Sequence, residues 1–129
     1  MKKAILKECL RIALRRNTVE LHSEYGRYHH FSFIVQNNTI IEYGTNHGNK
    51  NQYSRFYYDR SKVHAEACAY KKAKGLLSNE PFEIVNIRLS KSGDLRLSKP
   101  CICCVNFLTV VGATSVWFST ADGFLKETL

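Results

Sequence analysis

Two short stretches, Val63-His64-Ala65-Glu66 and Pro100-Cys101-Ile102-Cys103-Cys104, decide how this chain folds and what it can do. They offer one imidazole, His64, and two thiols three residues apart, Cys101 and Cys104. These are side chains that zinc binds well, but three ligands do not complete a tetrahedron. Structural zinc sites are usually closed by four protein ligands, whereas catalytic sites leave the fourth position to water. The pattern therefore predicts a zinc site with an open position.

A carboxylate, Glu66, follows the imidazole by two residues and can act as a general acid and base beside such a water. A structural zinc module that binds nucleic acid is a rival, but it needs a fourth protein ligand. The nearest further thiol, Cys103, is a poor candidate because consecutive helical residues point about 100° apart. A Cys-x-x-Cys redox protein is a second rival, and it has no use for His64 or Glu66. The residues favour a zinc-dependent hydrolase.

The size and composition of the chain predict one globular domain over residues 1–129, because 44% of the residues are hydrophobic and 23% are charged. Three of the five cysteines crowd into four positions, which indicates metal-bound thiolates in a reducing compartment. Charged residues interrupt the basic N-terminus (Lys7, Glu8 and Arg11), so we expect no secretory signal and no membrane partner. The predicted location is cytoplasmic.

The charge balance points to the kind of partner. Nineteen Lys and Arg residues against eleven Asp and Glu residues leave a formal net charge of +8. A basic surface favours phosphate-bearing partners, either nucleotides or nucleic acids.

Hydrophobic periodicity predicts the order helix, two strands, helix, strand, helix, two strands. The predicted helices cover residues 2–16, 62–77 and 101–111, and the predicted strands cover 31–35, 39–43, 82–90, 115–120 and 124–129. We expect a loop over 18–30, with His22, His29 and His30 as surface residues, and a tight turn at Asn37-Asn38. Helices interleaved with strands predict a three-layer α/β arrangement around a mixed sheet.

Both stretches that hold candidate ligands fall at predicted helix starts, with Pro100 expected as the first helical residue. Unpaired N–H groups and the positive end of the helix dipole favour anions there. The same field lowers the pKa of a thiol toward the thiolate that zinc requires. If these two helices pack side by side, the imidazole and the two thiolates converge on one ion.

The motifs His64-Ala65-Glu66 and Pro100-Cys101-Ile102-Cys103-Cys104 resemble the signature of the cytidine deaminase superfamily, the zinc-dependent nucleobase and nucleotide deaminases. The order of elements is also similar to that of the family, and the stretch 93–101 looks like that of small viral and phage deaminase-like proteins. The resemblance implies a three-layer α/β/α fold with a mixed five-stranded sheet and helices on both faces. The short turn Ala121-Asp122-Gly123 leaves room only for a C-terminal antiparallel hairpin, and this puts a tRNA adenosine deaminase in doubt and favours cytosine.

The resemblance also implies roles for individual residues. His64, Cys101 and Cys104 would bind one zinc ion per chain, which carries a water or hydroxide, and Glu66 would shuttle protons. The reaction would be the hydrolysis of a cyclic amidine C–N bond, at C4 of cytosine or C6 of adenine. Two assignments concern the substrate: Asn46 would contact the sugar, and Ala65 would lie under the base.

The form of the substrate is open at this point. Four aromatic residues and two arginines fall within residues 53–60, and rings such as Tyr53, Phe56 and Tyr57 could stack on the bases of a single-stranded DNA or RNA. The same rings could instead pack over the edge of the core. Free cytidine, deoxycytidine or their monophosphates are the alternative substrates. Two other functions are less favoured: a tRNA adenosine deaminase, and a non-catalytic zinc module that binds nucleic acid. The sequence leaves the oligomeric state open.

Overall fold

The computed structural model describes residues 1–17, 28–46 and 64–129. Within them the elements follow the predicted order, with one additional short strand. The helices are α1 (Lys3–Arg16), α2 (Ala65–Ala73) and α3 (Ile102–Val111). The strands are β1 (Tyr28–Gln36), β2 (Thr39–Thr45), β3 (Phe82–Ser90), β4 (Leu95–Arg96), β5 (Ala113–Thr120) and β6 (Gly123–Thr128).

These strands form one mixed sheet in the order β2-β1-β3-β5-β6, with β4 paired to the end of β3. The prediction of five strands is wrong in number, because Leu95 and Arg96 pair with Leu89 and Arg88 and add a sixth strand. Strands β3 and β5 are parallel, whereas β6 runs antiparallel to β5. The predicted C-terminal hairpin is therefore confirmed.

Alternation along β1 and β3 gives the sheet two different faces. Helix α1 covers one face, where its buried residues Cys9 and Ala13 share a core with apolar residues of β1 and β3. Helices α2 and α3 cover the other face, where Phe107 and Leu108 of α3 pack with Ile34. The predicted three-layer arrangement is confirmed.

Two asparagines close the hairpin between β1 and β2. Asn37 and Asn38 have φ angles of 53° and 56°. Positive φ at both central residues is the type I′ geometry that matches the twist of paired strands. The predicted turn is confirmed.

Close packing of β2 against α2 depends on Gly44. A Cβ atom at this position would lie 2.4 Å from the backbone nitrogen of Ala69 and 2.8 Å from Cβ of Cys68. The missing side chain thus lets the helix lie directly on the strand. This contact sets the height of α2 above the sheet.

Helix boundaries differ from the predictions in three places. Helix α2 begins at Ala65 after the extended N-cap residue His64, later than the predicted start at residue 62. Helix α2 ends at Ala73 and not near Leu77, because Gly75 weakens the last turn and Leu76 is 64% exposed. Pro100 precedes α3 instead of opening it, since Cys101 is the N-cap residue. Helix α3 ends as expected, with Gly112 in the left-handed region at φ 100°.

The described helices are all too short or too polar to cross a bilayer.

Candidate active site

The structure brings the imidazole and the two thiols of the motif together. The Nδ1 atom of His64 lies 3.1 Å from the sulfur of Cys104 and 3.8 Å from the sulfur of Cys101. The three atoms all lie within 4.8 Å of one another, and no other group of three such side chains in the described ranges could hold a metal ion. Cys103 stands apart from them and is buried in the core.

Helix starts position these side chains, as the sequence predicts. His64 is the N-cap residue of α2 and Cys101 is the N-cap residue of α3. The sulfur of Cys101 accepts a hydrogen bond from the backbone nitrogen of Cys104 at 3.4 Å. Each candidate ligand therefore sits in the positive field of a helix N-terminus, which favours a thiolate.

The two thiols differ in their pKa. A hydrogen bond from the Cys104 thiol is the largest cause that lowers the pKa of Cys101, to about 4, and the hydrogen bond with His64 adds to it against the effect of partial burial. The pKa of Cys104 is raised, first by the hydrogen bond to Cys101, then by burial and by the negative charge of Glu66. Without a metal, the pair therefore holds one thiolate and one thiol.

The three side chains fit a tetrahedral zinc ion. Bond lengths of about 2.0 Å to nitrogen and about 2.3 Å to sulfur place tetrahedral ligands roughly 3.5 to 3.8 Å apart. The observed N–S separations of 3.1 and 3.8 Å lie close to these values. One thiolate is already favoured, and the donor set of one nitrogen and two sulfurs suits zinc.

Glu66 lies beneath this cluster and is 1% exposed. Its Oε2 atom accepts a hydrogen bond from Nδ2 of Asn86 at 3.2 Å. Its Oε1 atom is buried and has no hydrogen-bond partner among the described residues. A buried carboxylate oxygen without a partner costs about 1–3 kcal/mol, so Oε1 is suited to accept a hydrogen bond from a ligand or water.

One residue of the site was not predicted. His30 was expected on the surface, but it lies in β1, where its Nε2 atom is buried and lacks a hydrogen-bond partner within the part of the chain that the structure describes. Burial lowers the pKa of His30, opposed by the negative charge of Glu66 and assisted by the positive charges of Arg88 and His64. The lowered pKa favours the neutral form of this imidazole, which lies beside the cluster.

His29, the neighbour of His30, is also buried and contradicts the same prediction. Its ring packs edge-on against Phe31 at a centroid distance of 4.5 Å. Because alternate residues of a strand face opposite sides, His29 points to the α1 face and His30 to the face that carries the cluster. The signal in the sequence was the alternation from residue 31 onward, which extends back through both histidines.

The other predicted substrate contacts have mixed outcomes. Asn46 directly follows β2, and its Oδ1 accepts a hydrogen bond from the backbone nitrogen of His30 at 3.1 Å, so it borders the site. Ala65 is fully buried at the start of α2, between His64 and Glu66 in sequence. Their contacts with sugar and base stay predictions. The predicted base-stacking residues Tyr53, Phe56 and Tyr57 lie outside the described residues.

Comparisons with known proteins bear on the fold. No protein-family model matches this sequence, and no curated protein sequence matches it. Solved structures do match. The dCMP deaminase from the cyanophage S-TIM5, in complex with dCMP and dUMP, has a TM-score of 0.60 and 19% identity, covering 92% of this chain and 82% of that one. The cytidine deaminase from Mycobacterium leprae has a TM-score of 0.58 and 16% identity, covering 94% and 92%.

At these identities the likeness shows the fold alone. The chain has the cytidine-deaminase-like fold that its motifs predict, and one of the similar structures comes from a phage.

Proposed function

We propose that this protein is a zinc-dependent hydrolase that deaminates cytosine to uracil. The observation that carries the proposal is the convergence of His64, Cys101 and Cys104, within 4.8 Å of one another, directly beside the buried carboxylate of Glu66. The solved structures that share the fold, a cytidine deaminase and a dCMP deaminase, support the same reaction. Three protein ligands leave one coordination position for water.

In this proposal His64, Cys101 and Cys104 hold the metal, and Glu66 moves the protons. Zinc, when bound, lowers the pKa of a coordinated water to about 7. The free Oε1 atom of Glu66 takes one proton from the attacking water and delivers it to ring nitrogen N3, while the oxygen bonds to C4. Glu66 then takes the second proton and delivers it to the amino group. The C4–N bond breaks, ammonia leaves and uracil remains.

The walls of the site suit an aromatic base. Ala65 at the start of α2 is fully buried and small, which suits a residue that lies under the base. Asn46 is held by the backbone of His30, which suits a residue that contacts the sugar at a fixed distance. Burial favours the neutral form of His30, and a neutral imidazole can donate or accept a hydrogen bond without adding charge to the site.

We further propose that the cytosine is carried by a phosphate-bearing molecule, and in the first place by a single-stranded nucleic acid. The formal net charge of +8 supports both parts, because Lys and Arg residues bind phosphates. Free nucleotides are the second candidate, and the similar fold of a phage dCMP deaminase in complex with dCMP favours them.

The first test replaces the proposed proton shuttle. We expect Glu66→Gln to bind zinc like the wild type and to lose turnover by about 10²–10⁴-fold, because general acid–base catalysis contributes about that much. Zinc content is measured by atomic emission, and turnover is measured by uracil formation. Glu80→Gln, on an exposed carboxylate outside the site, is the matched control and should retain activity. Undiminished deamination by Glu66→Gln refutes the assignment.

The second test compares substrates side by side. Cytidine, deoxycytidylate and single-stranded DNA and RNA oligonucleotides are incubated with the zinc-loaded protein, and uracil is quantified in each. We expect conversion of an oligonucleotide, with an affinity that falls steeply as salt rises, because binding releases counterions. Turnover of deoxycytidylate without uracil in any oligonucleotide would instead assign the free nucleotide. Turnover of cytidine alone contradicts the phosphate requirement.

A further inference from the structure

We propose that Asn86 is a positioning residue that aims the carboxylate of Glu66. This inference rests on the proposed function, since it concerns the group that moves the protons. Asn86 lies in the middle of β3, is fully buried and is separate from the three candidate ligands. It touches neither the metal position nor, in this proposal, the substrate.

The amide of Asn86 is fixed by partners on both of its ends. Its Nδ2 atom donates to Oε2 of Glu66 at 3.2 Å and to the backbone oxygen of Ser98 at 3.3 Å. Its Oδ1 atom accepts from Oγ of Ser32 at 2.6 Å. A rotated amide would set its oxygen against two acceptors, so the nitrogen must face Glu66.

The backbone of Asn86 is held as firmly as its side chain. Oγ of Ser98 donates to the backbone oxygen of Asn86 at 2.8 Å. Ser98 is in turn tied to β5, because its backbone nitrogen donates to the backbone oxygen of Ser119 at 3.0 Å. Ser98 lies three residues before Cys101, so Asn86 joins the stretch that enters α3 to the carboxylate on α2.

In this arrangement the two oxygens of Glu66 have different roles: one is held by Asn86 and the other transfers protons. Asn86 occupies Oε2, while Oε1 has no hydrogen-bond partner among residues 1–17, 28–46 and 64–129. A carboxylate held at one oxygen cannot rotate freely about its terminal torsion, so the other oxygen keeps one direction. Misplacing a reacting group by about 1 Å can cost about 10²-fold in rate. The amide thus keeps the proton-transferring oxygen aimed at the reaction.

The test replaces Asn86 without changing its shape. Asn86→Asp loses the donor to Glu66 and sets two carboxylates against each other. We expect kcat to fall about 100-fold, with KM within about twofold of the wild type and zinc content unchanged. Ser115→Ala is the matched control, because it removes the hydrogen bond of another buried hydroxyl, to Oε1 of Glu83, outside the contacts that hold Asn86. We expect the kcat of this control variant to stay within about threefold of the wild type, although its loss of thermal stability is comparable to that of Asn86→Asp.

The outcomes separate this inference from the proposed function. A wild type that deaminates no cytosine substrate refutes the proposed function. A wild type that deaminates while Asn86→Asp retains its kcat overturns only the role of Asn86. Equal losses of kcat in Asn86→Asp and Ser115→Ala also overturn it, because they indicate a purely structural contribution. If Asn86→Asp does not fold, Asn86→Ser, whose hydroxyl ends one bond short of the amide nitrogen, must show the same split between kcat and KM.

Discussion

The two faces of the sheet differ in composition although the same two strands supply both. Toward α1, strands β1 and β3 present mainly buried apolar side chains, with His29 among them at one end: Phe31, Phe33, Val35, Val85, Ile87 and Leu89. Toward α2 and α3, three successive cross-strand pairs change character along the strands. Ile34 lies opposite Ile84, Ser32 opposite Asn86, and His30 opposite Arg88.

This contrast separates stability from chemistry. The α1 face buries mainly apolar area, and burial of apolar area is the main favourable term in folding. The opposite face is apolar at one end only, and its polar end lies beneath the starts of α2 and α3, where the candidate ligands meet. Polar groups buried there have partners or face the site, and the unpartnered oxygen of Glu66 is an example of the latter. Apolar burial on the α1 face thus offsets the free-energy cost of burying polar groups on the opposite face.

Cys9 packs on the α1 face and Cys101 belongs to the cluster on the other face. The difference in reactivity between these two thiols is the largest effect that we expect. Burial on the α1 face raises the pKa of Cys9 to about 12, whereas hydrogen bonds from Cys104 and then with His64 lower that of Cys101 to about 4. In metal-free protein at pH 7, iodoacetamide should therefore label Cys101 at least about a hundredfold faster than Cys9. Peptide mass spectrometry over a time course measures both rates in one sample.

Zinc supplies the control for this experiment. A bound ion should protect Cys101 from iodoacetamide and leave the slow rate of Cys9 unchanged, because only Cys101 belongs to the cluster. Equal labelling of the two thiols, or a Cys101 rate that zinc does not change, would contradict the difference between the faces.

The sequence was sufficient for the parts of this molecule that depend on local signals. The cluster of His64, Cys101 and Cys104 follows from motifs at two helix starts, and capping, dipole and spacing act within one turn of a helix. The hairpin at Asn37-Asn38 follows from two residues that tolerate positive φ. The turn needs no knowledge of distant contacts. The convergence of His64 with two thiols 37 and 40 residues away depends on the placement of two helices, and the resemblance of the motifs to a known family predicted it.

The parts that were missed depend on strands that are distant in sequence. His30 reads as part of a polar loop until β1 is extended and paired with β3, which buries its Nε2 atom. Asn86 is one polar residue inside an apolar strand, and only the arrival of Glu66 from α2 gives it a role. The pairing of Leu95 and Arg96 with β3 is different, because it is local: β4 pairs with the adjacent end of β3 across a short turn. The hydrophobic periodicity of a segment does not predict these contacts.

We expect a smaller effect from a substitution at Gly44, where the backbone of β2 packs directly against α2. Gly44→Ala places a Cβ atom 2.4 Å from the backbone nitrogen of Ala69, so α2 must move away from the sheet. We expect a loss of about 1–3 kcal/mol in the free energy of unfolding, measured with urea, and weaker zinc binding as His64 moves. Gly75→Ala is the matched control, because nothing lies within 4 Å of its Cβ, and it should change stability by no more than about 0.5 kcal/mol. If Gly44→Ala binds zinc as tightly as Gly75→Ala does, the seating of α2 on β2 does not position the site, and the cluster depends on the helix starts alone.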